Sequence, residues 1–134
     1  MKKKMYPASY PMKVPFSKVA VVGNLVFVSG CSGQTLETYH VSSDDVVEQT
    51  EVALDKVRQA LEEAGTTMDH IFKTVLYLKN MEDYDRVEER RQDYYRRHAP
   101  KLVDEPPCDT LVGVNALHEP DMLVEMETIA VMPD

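Results

Sequence analysis

The spacing of apolar positions predicts one long helix in the first half of the chain. A helical period begins after Ser43, a residue type favoured as an N-cap, and ends at Gly65, a common helix stop. Asp44 and Asp45 are predicted to lie in the first turn, where negative charge favours the helix dipole. The positions of the stripe are Val46, Val47, Thr50, Ala53, Leu54, Val57, Ala60, Leu61 and Ala64.

A second helix is predicted from Glu82 to His98, with Asn80 as its cap and Pro100 just beyond its end. Its inner stripe consists of Tyr84, Val87, Tyr94 and Tyr95. Residues 99–107 contain three prolines, so we expect a loop there.

Shorter apolar runs predict five strands, at residues 18–22, 25–29, 71–79, 110–114 and 123–131. Gly23 and Asn24 fit a two-residue hairpin turn between the first two, because both residue types tolerate positive φ. The third strand would carry Phe72, Thr74, Leu76 and Leu78 on one face and Ile71, Val75 and Tyr77 on the other. Both faces are largely apolar, so we expect this strand to be buried on both sides.

The element order β-β-α-β-α-β-β predicts a single α+β domain over residues 1–134, with one sheet and two helices on one face. Residues 1–15 contain three prolines and are expected to form an extended lead-in, while residues 30–38 form a loop. Two helices cover only one face of such a sheet. The other face keeps apolar residues on most strands, so we expect a homo-oligomer to cover it.

The charge balance argues against nucleic acid as a partner. The chain has 23 acidic and 15 basic residues and a formal net charge of -8, whereas surfaces that bind nucleic acid are normally basic. No apolar run reaches the roughly 18 residues of a membrane span, and no apolar signal segment follows the N-terminal lysines. Cys31 and Cys108 lie far apart in a chain with ample core, so no disulfide is expected. We therefore expect a cytoplasmic protein.

Several stretches, in their order and spacing, resemble the Rid (YjgF/YER057c/UK114) family. The matching stretches are residues 15–17, 23–30, 48–50, 61–65, 73–75 and 124–131. The resemblance implies a chorismate mutase-like fold, a homotrimer with a barrel-like core, and ligand clefts between subunits. It also implies hydrolysis of a reactive imine or enamine to a carbonyl compound and ammonia, without a metal or other cofactor.

The resemblance also points to particular residues in such a cleft. Glu125 would be catalytic by orienting water, and the backbone of Ser29 and Gly30 would contact the ligand. Phe16 stands where deaminating members have a tyrosine, and Cys31 follows the Ser-Gly pair. The position of a small or thiol residue in those members is occupied here by Leu111.

Asp109 stands where the hydrolytic members carry an arginine that grips a substrate carboxylate. Replacing a bidentate cation by an anion removes that grip, so the usual 2-iminoacid substrate is not expected. Cys108 adjoins Asp109 and is predicted to line the same cleft.

Three functions remain open from the sequence. The leading one is binding, with hydrolytic deamination, of a small imine or enamine. The second is a non-catalytic metabolite-binding or regulatory protein on the same scaffold. The third is a thiol- or metal-dependent activity through Cys31 and Cys108. The residue types also permit plainer roles, with Glu125 as an edge or ion-pair residue and Asp109 as a turn residue.

Overall fold

The computed structural model describes residues 2–134 and has an α+β fold, as the sequence predicts. In chain order the elements are β1 (Lys3–Pro7), β2 (Ser17–Val22), β3 (Leu25–Ser32), α1 (Val46–Ala64), β4 (Ile71–Leu78), α2 (Tyr84–His98), α3 (Lys101–Asp104), β5 (Cys108–Gly113) and β6 (Val124–Val131). None of the helices within these residues combines the length and apolar composition needed to cross a bilayer.

The strands form one mixed sheet in the order β1-β2-β3-β6-β4-β5. β4 and β5 run parallel, and the other neighbouring pairs are antiparallel. The first and last parts of the chain are interleaved, because β6 lies between β3 and β4. Since neighbouring strands are about 4.8 Å apart, β3 and β5 are separated by roughly 14 Å across the sheet.

The core lies between one face of the sheet and the two long helices. The predicted stripe of α1 is buried, with Val47 only partly so, and α2 contributes Val87, Tyr94 and Tyr95. The strands contribute Val19, Val26, Leu76, Leu78, Val124, Met126 and Ala130. The predicted apolar stripes of both helices therefore face the sheet.

The other face of the sheet, which we call the open face, remains partly uncovered. Leu25 and Phe27 alternate with the buried Val26 and Val28, so they point to the open face. Each is 39% exposed. Ile129 of β6 lies directly opposite Phe27 and adds to the same apolar surface. One sheet face therefore lacks cover within the chain, as predicted.

The predicted lead-in contains a strand that the sequence analysis missed. Lys3 of β1 pairs with Val22 of β2, and Met5 pairs with Ala20. β1 forms an edge of the sheet, and exposed lysines are common on edge strands because they discourage pairing with another chain. The lead-in is therefore extended at residues 3–7, and its pairing with β2 is what the sequence analysis did not predict.

The start of α1 differs from the prediction, whereas its end agrees. The cap is Asp45, whose Oδ1 accepts a hydrogen bond from the backbone N–H of Val47 at 2.9 Å. Ser43 instead accepts one from the backbone N–H of Asp45 at 3.1 Å. The acidic residue in the first turn is therefore Glu48. Gly65 ends the helix in the left-handed region, at φ 98°.

The surroundings of α2 also differ from the prediction. Asn80 makes no side-chain capping bond, because a tight 3-10 turn at Met81–Asp83 comes between it and the helix, which begins at Tyr84. The expected loop at residues 99–107 contains the single-turn helix α3. Leu102 of α3 is 2% exposed, so its burial in the core stabilises this turn.

The face assignment at the start of β4 was wrong. The pairing register shifts between Ile71 and Lys73, which places one extra residue in the strand. Ile71 is consequently buried at 5% exposure, and Phe72 is 42% exposed. Thr74, Leu76 and Leu78 follow the prediction and face the helices.

Candidate functional site

A cavity of 260 Å³ lies between the N-terminal segment, β3 and α1. Its lining includes Tyr10, Phe16, Ser29, Gly30, Cys31 and Lys56. Four of the residues predicted from the sequence to bind a ligand therefore share one cavity. The other two, Cys108 and Asp109, do not line it, and neither does the predicted catalytic residue Glu125.

A break in the pairing of β3 shapes the floor of this cavity. The register between β3 and β6 shifts between Val28 and Cys31, which leaves Ser29 and Gly30 outside the regular ladder. Ser29 Oγ donates a hydrogen bond to the backbone carbonyl of Ser17 at 2.5 Å, so the bulge is tied to β2.

Gly30 has no room for a side chain because Glu125 occupies the space. A Cβ atom at this position would overlap Oε2 of Glu125. The carboxylate of β6 therefore rests against the backbone of the bulge that lines the cavity. This contact places the predicted catalytic acid beside the predicted Ser-Gly backbone segment.

The carboxyl group of Glu125 is half-buried. Burial raises its pKa above the ordinary value for glutamate, Lys56 and His118 oppose this rise, and the nearby Glu127 adds to it. A carboxyl group with a raised pKa is protonated more readily, which suits proton transfer nearer neutral pH. Glu127 differs, because it is exposed and accepts a hydrogen bond from the hydroxyl of Tyr77 at 3.0 Å.

Cys31 is a buried thiol rather than an open nucleophile. Its Sγ donates to the backbone carbonyl of Ser29 at 3.4 Å. Burial raises its pKa to about 11, against the lowering effect of Lys56 and with a further rise from Glu125. Little thiolate forms at neutral pH, so Cys31 acts on the cavity by its shape and its neutral surface.

Lys56 brings a buried amine to the same cavity. Its Nζ donates to the backbone carbonyl of Gln34 at 2.7 Å and to the hydroxyl of Tyr10 at 3.3 Å. Burial lowers its pKa, while Cys31 and Glu125 act in the opposite direction. The pKa of the Tyr10 hydroxyl rises to about 12. Burial is the main cause, and Cys31, Tyr39 and Glu125 add smaller effects.

Asp109 lies near the other edge of the sheet, on the face opposite to that of Glu125. Asp109 of β5 is in register with Thr74 of β4, whereas Glu125 of β6 is in register with Tyr77. Thr74 and Tyr77 are three positions apart, and side chains alternate between faces along a strand. Within one protomer the two predicted carboxylates therefore do not meet.

The carboxylate of Asp109 is held by Arg91 of α2. Nη1 and Nη2 of Arg91 each donate to one carboxylate oxygen at 3.2 Å, and Thr74 Oγ1 donates at 2.6 Å. Glu88 accepts from Nη2 of the same guanidinium at 2.6 Å. Burial disfavours the charge of Arg91, but Tyr95, Glu88 and Asp109 outweigh this effect and raise its pKa. The side chain predicted to set specificity thus pairs with a buried arginine.

Sequence and structure comparisons place this fold in a known family. The family model described as Endoribonuclease L-PSP matches residues 8–132. A crystal structure of a YjgF/YER057c/UK114 family member from Mycobacterium tuberculosis aligns with a TM-score of 0.80 and 27% identity, covering 98% of this chain and 100% of that one. The chain belongs to the Rid family.

Two relatives of known sequence support the assignment of this chain to the Rid family. A RutC family protein of Pyrococcus abyssi is 33% identical over 116 residues, which are 87% of this chain and 85% of its relative. A protein of Dermatophagoides farinae named 2-iminobutanoate/2-iminopropanoate deaminase is 23% identical over 118 residues, 88% of this chain and 86% of its own. The chain therefore spans most of the length of both.

The predicted thiol cluster of this Rid protein does not form within a protomer. Cys31 is buried on β3, and Cys108 is exposed on β5, with two strands between them. In the part of the chain that the structure describes, no three His, Cys, Asp or Glu side chains are grouped to hold a metal ion.

Two charged residues of the Rid protein were missed by the sequence analysis, although each carried a signal. Lys56 follows Ala53 by three positions and precedes Ala60 by four, so it falls within the apolar stripe of α1. Arg91 follows Val87 by four positions on α2 and is 4% exposed. A charged residue on an otherwise buried helical stripe requires a partner or a function.

Proposed function

We propose that this Rid protein binds a small imine or enamine in the cavity beside Gly30 and hydrolyses it to a carbonyl compound and ammonia. The observation that carries the proposal is the contact between the half-buried carboxyl group of Glu125 and Gly30, whose backbone lines the 260 Å³ cavity, although Glu125 itself is not a lining residue. Family membership and the name of the Dermatophagoides farinae relative support the reaction class.

The chemistry needs one group that both accepts and donates a proton. Water adds to the C=N carbon while Glu125 accepts a proton from that water, and the nitrogen is protonated. Glu125 then passes the hydroxyl proton of the resulting carbinolamine to the nitrogen, the C–N bond breaks, and a carbonyl compound and ammonia leave. An enamine enters the same sequence after protonation at carbon. Glu125 suits this role because burial raises its pKa, which moves its proton exchange toward neutral pH.

We further propose that the working form is a homotrimer whose barrel-like core covers the open face. The exposed Leu25 and Phe27 support a partner on that face. In such an assembly the β5 edge of one protomer would lie at the seam beside the cavity of its neighbour, which is where the resemblance implies a ligand cleft. Cys108 and Asp109 would then approach the ligand from the neighbouring subunit.

Because position 109 is an aspartate, β5 supplies no arginine to bind a carboxylate of the ligand. Its carboxylate is already paired with Arg91, which reduces the repulsion that a free carboxylate would exert on an anionic ligand. The absence of this arginine supports one of two conclusions. Either the substrate is not a 2-iminoacid, or a 2-iminoacid binds in a pose that differs from its pose in the hydrolytic members. The same feature favours a second candidate, a metabolite-binding Rid protein that does not catalyse turnover.

The name of the family model does not imply that this chain is an endoribonuclease. The formal net charge of -8 disfavours a surface that neutralises a phosphate backbone.

A turnover assay with imines generated in situ tests the proposal. The panel contains 2-iminopropanoate, 2-iminobutanoate and a neutral imine of similar size, and the rate of ammonia release is compared with that in buffer. We expect acceleration of at least one imine. Glu125→Gln should lower that acceleration by about 100-fold or more, as expected for loss of a general acid–base group.

Glu127→Gln is the matched control, because Glu127 lies two positions along the same strand and on the same face. This variant should retain the wild-type rate within a few-fold. If no imine in the panel is turned over faster than in buffer, the non-catalytic function is preferred. If Glu125→Gln retains the wild-type rate, the proposed role of Glu125 is wrong.

A further inference from the structure

Lys56 is a buried lysine that faces the cavity without an acidic partner. The residue is 8% exposed and lies on the cavity wall. Its Nζ donates to two neutral oxygens, of the Gln34 carbonyl and the Tyr10 hydroxyl. Among the ion pairs formed within residues 2–134, none includes Lys56.

The amine of Lys56 is therefore hydrogen-bonded to neutral oxygens and has no carboxylate within ion-pair distance. An ammonium group has three N–H donors, and the two neutral oxygens account for two of them. Removing a cation from water is unfavourable unless an anion pairs with it. Lys18, which also lines the cavity, differs because it pairs with Glu63 and donates to Ser9.

The cavity offers space for a small anion beside this amine. Glu125 influences Lys56 through space but forms no ion pair with it, and the neighbouring thiol of Cys31 is neutral because burial raises its pKa. Phe16 supplies an apolar wall to the same space. A volume of 260 Å³ accommodates a molecule of a few carbon atoms with one charged group.

We propose that Lys56 is the anion-binding group of the cavity and pairs with the carboxylate of a small aliphatic substrate. This inference rests on the proposed function, since it takes the cavity as the substrate site. The cation that holds the substrate then comes from α1 rather than from β5. A carboxylate-bearing imine is accordingly a substrate of this protein despite Asp109, in a pose directed by Lys56.

Binding of an inert carboxylate tests this assignment apart from catalysis. Butanoate and butanamide have the same carbon skeleton, and only butanoate carries a charge. Each is titrated into the full-length protein, and the shifts of backbone amide NMR signals give its dissociation constant. We expect butanoate to bind at least about tenfold more tightly than butanamide, with shifts at Ser29, Gly30 and Cys31.

Two lysine variants locate the source of this preference. Lys56→Gln should abolish the preference for butanoate, whereas Lys101→Gln, which removes an exposed lysine of α3, should retain it. Equal binding of butanoate and butanamide by the wild-type protein would overturn the assignment, and so would an unchanged preference in Lys56→Gln. The wild-type comparison stands even if Lys56→Gln does not fold.

The test also separates this inference from the proposed reaction, because butanoate has no C=N bond. If butanoate is preferred and no imine is turned over, the site binds carboxylates and the proposed deamination fails. If imines are turned over while butanoate shows no preference, the reaction stands and Lys56 is not the anion-binding group.

Discussion

Asp109 and Arg91 form a bidentate ion pair that links the edge strand β5 to α2. The side chain of Arg91 is 5% exposed and that of Asp109 is 28% exposed. The arginine therefore depends on its acidic partners for the compensation of a buried charge. Position 109 has a structural role in the protomer, whatever it contributes to a ligand site at a subunit seam.

Asp109→Arg should destabilise the protein. The change removes one acceptor of Arg91 and places a second guanidinium beside the first. Breaking a fully buried pair costs about 3 kcal/mol or more, but Asp109 is partly exposed and Glu88 still accepts a hydrogen bond from Arg91. We therefore expect a smaller loss, about 1–2 kcal/mol, in the free energy of unfolding, measured by urea denaturation.

Two further variants test the cause of this loss. Asp109→Asn keeps an oxygen acceptor for Thr74 and should lose less stability than Asp109→Arg. The double variant Asp109→Arg, Arg91→Met removes the like-charge contact and leaves Glu88 to pair with the new arginine, so part of the stability should return. A wild-type stability for Asp109→Arg alone would show that the ion pair contributes nothing.

The sequence predicted the helices well because a long apolar period is a redundant signal. The stripe of α1 has nine positions, and the buried helix face confirms it. The cap was predicted less well, since Ser43 and Asp45 are both good capping residues. Tertiary contact decides between them, because the side chain of Gln49 donates to the backbone carbonyl of Ser43 at 2.9 Å and holds Ser43 outside the helix.

The site was only partly predictable because its parts come from strands that pair out of sequence order. The family resemblance gave Ser29, Gly30 and Glu125, and the structure brings their elements together since β6 pairs with β3. No local pattern reveals that two strands lie between β3 and β5. Lys56 and Arg91 were overlooked because periodicity was counted for apolar residues alone, although both fall on buried stripes.

Glu125 should make the protein less stable as the pH rises. Burial raises its pKa in the folded chain, so the folded state holds this proton more tightly than the unfolded state does. The free energy of unfolding then falls as the pH rises from the ordinary glutamate value, about 4.3, through the raised folded value. Glu125→Gln has no titratable group at this position, so its free energy of unfolding should fall less than that of the wild type between about pH 4 and pH 7.

Urea denaturation of wild type, Glu125→Gln and the matched control Glu127→Gln at both pH values measures the difference. The control should retain most of the wild-type pH dependence. An identical stability change in wild type and Glu125→Gln would contradict the raised pKa.

The two thiols should differ strongly in reactivity. Cys108 is exposed, whereas Cys31 is buried with a pKa of about 11, so that at pH 8 only about one Cys31 thiol in a thousand is ionised. In the folded protein, Cys31 should react with an aromatic disulfide reagent far more slowly than a free cysteine. The measurement is the absorbance of released thiolate in Cys108→Ser, where Cys31 is the sole thiol, before and after unfolding in urea. Fast labelling of this folded variant would show that the cavity exposes Cys31.

The open face should be the surface through which protomers associate. Phe27 is 39% exposed there and lies directly opposite Ile129 of β6, so the two side chains belong to one apolar surface. Phe27→Asp places a charge in a surface that would be buried against a partner, and removing an unpaired charge from water is unfavourable. We therefore expect sedimentation to shift from a species of three 15.3 kDa chains toward the single chain.

Val103→Asp is the matched control for this change. Val103 has the same 39% exposure but belongs to α3, next to α2 rather than on the open face. Both variants replace an equally exposed apolar side chain by aspartate, so only the position differs. If the open face forms the interface, Val103→Asp sediments like the wild type and Phe27→Asp does not. Dissociation of both variants, or a wild-type protein that is already a single chain, would show that the apolar surface of β3 does not hold protomers together.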